Sequence, residues 1–391
     1  MNSIAKLVLK HFGEKFSSSP KLFFSPGRIN LIGEHIDYND GYVMPAAIDK
    51  GIYFSIAENQ TDIIHFYAID FDEHFSISIQ DIQINNGWRN YVLSVLNEFN
   101  LLGISLRGFN CVFGGDIPQG AGMSSSAALE GGLAFALNEM FAVGLSRVEL
   151  ALLCQRAEHN FPNVQCGIMD QFANMMGKKD HVILLDCKTL EQSYFPLVKE
   201  GYKIILINSK VHHSLAAGEY NIRRQRCEQG LAILAPLLSI QSFRDIASAD
   251  ELEIGKSSMT LEQYNCCKYV VEEIGRTKKA AILLQSSDMK GFGELMFATH
   301  EGLSKLYEVS CSELDFLVDQ AKLFPAVIGS RLMGGGFGGC TINIVEEAGV
   351  ENFIQQTILA YQQQFNIKSE AYIVTTSDGT ANISALNTLG E

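Results

Sequence analysis

The chain has 391 residues, of which 47% are hydrophobic and 19% charged, a balance that fits a globular fold and excludes disordered and fibrous classes. A formal charge of -14 argues against a nucleic-acid or anionic-membrane surface, because both need clustered Lys and Arg. The length exceeds what one core supports and predicts two domains, and no apolar run reaches the roughly 20 residues of a membrane span.

Nine scattered cysteines without a C-x-x-C pair, and an N-terminal stretch lacking the apolar core of a signal peptide, predict a reducing cytoplasm. Residues 1–16 set Leu7, Val8, Phe12 and Phe16 among Lys6, Lys10 and Lys15, the pattern of a short amphipathic surface helix. Residues 25–41 then gather Arg28, Glu34, His35 and Asp37 between the turns Pro26-Gly27 and Asn39-Asp40-Gly41, with Ile29, Leu31 and Ile32 as apolar anchors. Such a segment can hold several polar side chains over one small polar ligand. The plainer alternative is a solvated loop with local ion pairs.

Residues 42–57 and 62–81 carry the β-branched and aromatic alternation of antiparallel strands, residues 88–101 repeat apolar side chains at helical spacing, and residues 108–113 read as a strand. A glycine-rich loop follows from Gly114 and opens into an apolar helix containing Leu129, Leu133 and Leu137. Its residues Gly120, Ala121, Gly122, Met123, Ser124, Ser125 and Ser126 place free backbone amides and hydroxyls at a helix N-terminus, as phosphate binding requires. It is not a Walker loop, because Ala121 and Gly122 stand where Lys and Ser/Thr belong. A serine-capped helix is the alternative, although three successive serines exceed what a cap needs.

Ser146 and Glu149 have capping-box spacing, and the helix they start carries Glu158 near its end, before Pro162. Residues 166–172 set Asp170 among apolar neighbours beside Gly167, and an acid so placed, if held charged by a cation or hydrogen bonds, is a candidate base. Asp170 and Asn174 share a helix face. Taken singly, the plainer readings are a surface carboxylate for Glu158 and a helix cap for Asp170.

A polar break at residues 177–180 divides the chain into 1–178 and 179–391. The second half alternates strands and helices: a strand at 203–208, helices at 215–234, 261–285, 291–307 and 312–322, and a closing strand at 370–376. Arg223, Arg224 and Arg226 are expected on a solvated helix face. Residues 333–340 satisfy G-x-G-x-x-G through glycine density alone, and the strand-like alternation after Cys340 argues against a dinucleotide fingerprint. That density predicts a backbone passing close to another domain or a ligand.

The three stretches resemble, in order, the three motifs of the GHMP small-molecule kinase superfamily, and residues 27–41 are similar to the galactokinase family within it. The similarity continues through 157–160, 166–171, Asn208-Ser209, His213-Ser214-Leu215, 308–315 and 333–340. It implies an α+β, two-domain GHMP kinase fold, the N-terminal half like ribosomal S5 domain 2, the C-terminal half ferredoxin-like, and the active site in the cleft between them. It also implies transfer of the γ-phosphoryl of MgATP to the anomeric hydroxyl of α-D-galactose, giving galactose 1-phosphate and ADP, the first committed step of galactose catabolism.

On this chain the resemblance places Glu34, His35, Ile36, Asp37, Gly167, Asp170 and Tyr220 at the sugar, and Gly120 to Ser126 around the triphosphate. Ser126 and Glu158 would stand at Mg²⁺, and Gly335 and Gly336 would line the closing wall. Asp170 would accept the anomeric proton, while Arg28 would keep it ionised and stabilise charge on the phosphoryl. Two alternatives stand beside this: a non-catalytic galactose and ATP sensor, against which the undeleted Ser126-Ala127 speaks, and a kinase for N-acetylgalactosamine. The expected setting is a cytoplasmic monomer acting on a small sugar, without nucleic-acid or membrane partners.

Overall fold

A computed structural model describes residues 2–197, 201–212 and 216–387. The similarity at His213-Ser214-Leu215 and the predicted helix start at Leu215 lie outside the described residues.

Helix α1 (Ser3–Lys15), capped by the Asn2 side chain, buries Ala5, Val8 and Phe12. It covers one face of a sheet formed by β1 (Lys21–Asn30), β3 (Pro45–Glu58), β4 (Ile63–Ala68), β5 (Glu73–Ser78) and β6 (Phe109–Gly115), the short β2 (Tyr42–Val43) intervening. Period-2 geometry sends consecutive residues to opposite faces. Leu22, Tyr53 and Val112 therefore pack under α1, while Phe23, Phe54 and Phe113 join the main core under α2 (Trp88–Leu101), α3 (Ser125–Met140), α4 (Arg147–Asn160) and α5 (Met169–Met176). With both faces covered, polar alternation along these strands is only partial. One pairing departs from the antiparallel expectation: β4 runs parallel to β6, because β5 and α2 supply the crossover between them.

The chain continues through the hairpin β7 (His181–Asp186) and β8 (Gln192–Pro196), which pairs with β2, and then β9 (Tyr202–His212). Helices α6 (Ala216–Leu238), α7 (Leu261–Gln285), α8 (Met289–Lys305) and α9 (Ser312–Lys322) precede β10 (Val327–Leu332), β11 (Gly338–Glu346), α10 (Val350–Phe365) and β12 (Glu370–Val374). The second sheet has the antiparallel order β10-β11-β9-β12. It too is covered on both faces, Leu206 packing with α8 and Ile205 and Ile207 with α9 and α10.

A last strand, β13 (Ala381–Asn382), returns to the first sheet and pairs with β1 at Phe23 and Phe24. Arg223 is not solvated as expected. It is buried, and its guanidinium donates to the Tyr307 and Glu308 carbonyls, tying α6 to the end of α8. Among the described residues no helix is long and apolar enough to cross a membrane.

Candidate active site

The β1–β3 register shifts between Pro26 and Arg28, re-aiming the strand where its first functional residue stands. The Arg28 guanidinium leaves the sheet toward α5, its Nε and Nη2 donating to Oδ1 and Oδ2 of Asp170, each at 2.7 Å, and its Nη1 to the Gly122 carbonyl. This fork-to-carboxylate geometry is the strong form of an ion pair. Burial alone would lower the Arg28 pKa, but Asp170, with Glu34 and Asp37, more than offsets it and holds the guanidinium above its ordinary range.

Asp170 does not cap its helix. It lies in the first turn of α5, where Ile168 is the N-cap and the helix dipole favours a carboxylate. One turn on, the Asn174 amide donates to Ser25 Oγ at 2.9 Å and Pro26 O at 2.6 Å, so the shared face read from the sequence seats α5 on β1.

Beyond β1 the chain wraps a cavity of about 230 Å³ lined by Arg28, Glu34, His35, Asp37, Asp170 and Tyr220, and closed by Gly167 and Gly334 to Gly336. Burial, then the charges of Asp170 and Glu34, pushes the Asp37 carboxyl up to about 7. The Asp37 carboxylate packs directly on Gly167, where a Cβ would fall 2.0 Å from its Oδ2. Burial likewise pushes the His35 imidazole down to about 4, so it is neutral near pH 7.

Its Nε2 faces the Gly335 carbonyl at 3.2 Å, and a carbonyl can only accept, so Nε2 carries the proton and Nδ1 accepts from the Tyr38 hydroxyl at 2.8 Å. Tyr38 then accepts from Tyr307 at 2.9 Å, and Tyr307 from the Cys227 thiol at 3.2 Å. Ile36, expected at the sugar, does not line the cavity with its side chain. That side chain is buried in the core, and its carbonyl accepts from the Asn39 and Gly41 amides.

The glycine-rich loop borders a second cavity of about 210 Å³ with Gly120 to Ser126 in its wall. Serine capping does not explain it: Ser124 has φ 57°, makes no cap hydrogen bond, and keeps a buried hydroxyl without a protein partner. Gly122 has φ +70°, and a Cβ there would stand 2.9 Å from the Met333 carbonyl, so the two glycine-rich loops touch backbone to backbone, the close approach that the glycine density of residues 333–340 predicted.

Glu158, at the end of α4, is buried and accepts from Gln171 Nε2 at 2.7 Å. Burial and then the Asp170 charge push its carboxyl up to about 7, against hydrogen bonds from Ser126 and Cys166. The two cavities share Arg28, Asp170, Gly334 and Gly335 in their walls. Tyr38, Tyr307 and the buried Arg331, which touches Glu34, went unread in the sequence. For Arg331 the one available signal is a charged residue inside a strand-like run.

A family model for the galactokinase galactose-binding signature matches residues 10–58, and models for the N-terminal and C-terminal domains of GHMP kinases match 90–178 and 280–360. A galactokinase of Clostridium acetobutylicum is 40% identical over 386 residues, covering 96% of this chain and 99% of that protein. One from Thermotoga maritima is 38% identical over 92% of this chain and 99% of that protein. The crystal structure of Lactococcus lactis galactokinase complexed with galactose superposes with a TM-score of 0.94 at 31% identity, covering 97% of this chain and all of that one. With the α+β two-domain architecture, these likenesses establish that the chain belongs to the galactokinase family of the GHMP kinases.

Proposed function

We propose that the chain transfers the γ-phosphoryl of ATP to the C1 hydroxyl of α-D-galactose, giving galactose 1-phosphate and ADP. The observation that carries this reading is the Arg28–Asp170 pair standing in the wall common to the two cavities, where a sugar hydroxyl and a terminal phosphate would meet. Phosphoryl transfer depends on positioning and charge stabilisation more than on covalent chemistry from the protein.

Glu34, neutral His35, Asp37 and Tyr220 hold sugar hydroxyls, and Gly120 to Ser126 present amides and hydroxyls to the triphosphate. Asp170 orients the anomeric hydroxyl and takes its proton as the O1–Pγ bond forms and the bond from Pγ to the β,γ-bridging oxygen breaks. Arg28, permanently charged, faces the transferring phosphoryl from the same wall.

The residues present fit Mg²⁺. Ser126 and Glu158 are hard oxygen donors at the border of the two cavities, and the unpartnered Ser124 hydroxyl lies in the same loop. When bound, Mg²⁺ supplies neutralising charge to the β- and γ-phosphates. We also propose that the chain divides near residue 178 and acts as a cytoplasmic monomer, a setting supported by its nine free thiols.

A coupled assay of ADP release with galactose, glucose, N-acetylgalactosamine or no sugar tests the reading. Galactose-dependent release with galactose 1-phosphate as product is expected. Galactose binding without release under any condition would overturn it in favour of a sensor, and release only with N-acetylgalactosamine would reassign the substrate.

A further inference from the structure

Three buried side chains from the C-terminal half converge on residues 30–34, the backbone run that delivers Glu34 to the sugar cavity. Arg331, on β10 and wholly buried, donates from Nε to the Leu31 carbonyl at 2.8 Å, from Nη2 to the Asn30 carbonyl, and from Nη1 to Glu34 Oε2 at 2.7 Å. From α7, the Tyr269 hydroxyl donates to the Glu34 carbonyl at 2.8 Å, and Glu273 Oε1 accepts from the Gly33 amide at 2.9 Å. Glu273 is held in turn by the Thr299 hydroxyl and by Arg276 Nε at 2.6 Å.

None of the three lines either cavity, so their partners are parts of the site and not its ligands. Burying an arginine and two carboxylates gains little stability over well-packed apolar side chains. What such a network can supply is a unique geometry, since it holds the Asn30, Leu31 and Glu34 carbonyls, the Gly33 amide and one Glu34 carboxylate oxygen from three directions at once.

We propose that Arg331, Tyr269 and Glu273 are positioning residues that set the Glu34 carboxylate for sugar recognition, so that galactose affinity depends on the C-terminal half. This rests on the proposed role of Glu34 at the sugar. One carboxylate oxygen is committed to Arg331, and the clamp on the Gly33 amide and the Glu34 carbonyl fixes where the rest of the carboxylate stands.

The test measures KM for galactose and for ATP separately, with kcat and thermal midpoint, in Tyr269→Phe, Arg331→Lys and Glu34→Gln. Tyr269→Phe removes one hydroxyl and almost no volume, so it reports even if Arg331→Lys fails to fold. The galactose KM is expected to rise about 3- to 10-fold in Tyr269→Phe and about 10-fold or more in Arg331→Lys, the scale of neutral and charge-assisted hydrogen bonds, with ATP KM within about twofold. The double variant Arg331→Lys/Glu34→Gln should exceed the larger single effect by little, because the two act through one carboxylate. A lowered midpoint and kcat with an unchanged galactose KM, or equal rises in both KM values, while Glu34→Gln still weakens galactose, would overturn the positioning role alone. An unchanged galactose KM in Glu34→Gln would overturn the sugar role of Glu34 and this inference with it.

Discussion

Asp170 and Asp37 line one cavity, yet only Asp170 has an arginine across both its oxygens. Asp170→Asn keeps the shape, removes the proton acceptor and leaves Arg28 without its counter-charge. We expect kcat to fall by about 100-fold or more, the usual scale for a general base, as measured by steady-state ADP release. Near-normal turnover would remove Asp170 from that role. For Asp37, burial holds the carboxyl at about 7, above its ordinary 3.8. The native state then binds more protons than the unfolded state between those values, so this group's effect is a loss of stability as pH rises from about 4 to 7. Glu158, at about 7 for the same leading reason, adds to that slope. Asp37→Asn should therefore raise the thermal midpoint of the ligand-free protein at pH 8, raise it clearly less at pH 5, and weaken galactose. Equal shifts at both pH values would show that Asp37 is not held protonated at the lower one.

At the scale of elements, the Gly120–Ser126 loop meets the second glycine-rich loop backbone to backbone, without side chains between them. Gly122→Ala would place a methyl 2.9 Å from the Met333 carbonyl on a residue with φ +70°. It should raise the KM for ATP by about 10-fold or more, given roughly 1–2 kcal/mol of left-handed strain plus the clash, with galactose binding by calorimetry little changed. Helices at Trp88–Leu101, Leu261–Gln285 and Ser312–Lys322 were legible to the residue, because apolar side chains recur at helical spacing over several turns. Helix α10 went unread: Gly349 opens it without a side-chain cap, and its face is rich in glutamine. Strand β13 is two residues long and too short for any period. Within the site, Arg28 and Asp170 stood out as charges in apolar or glycine-rich company. The Arg331–Glu34 pair joins residues 297 positions apart, a separation no local pattern reports.

At the scale of the whole molecule, the chain does not leave its first sheet behind when it enters the second half. The β7–β8 hairpin pairs with β2, and after β12 the backbone returns so that β13 pairs with β1. Just before β13, Thr380 is fully buried. Its hydroxyl donates to Asn174 Oδ1 at 2.8 Å and lies 3.1 Å from Ser25 Oγ, while its amide donates to the Asn174 carbonyl at 2.8 Å. Asn174 is the residue that seats α5, and α5 carries Asp170. The C-terminal segment thus supports the helix that bears Asp170 from behind, and the halves should unfold together. Thr380→Val keeps the volume and strands the buried Asn174 Oδ1, a loss of about 1–3 kcal/mol. Differential scanning calorimetry should show one transition in the parent chain and one, at lower temperature, in the variant. Because the helix bearing Asp170 loses a support, kcat should also fall at 25 °C, while galactose KM changes less. Two resolved transitions, with only one moved by the substitution, would show that the halves fold independently and that this lacing does not join them.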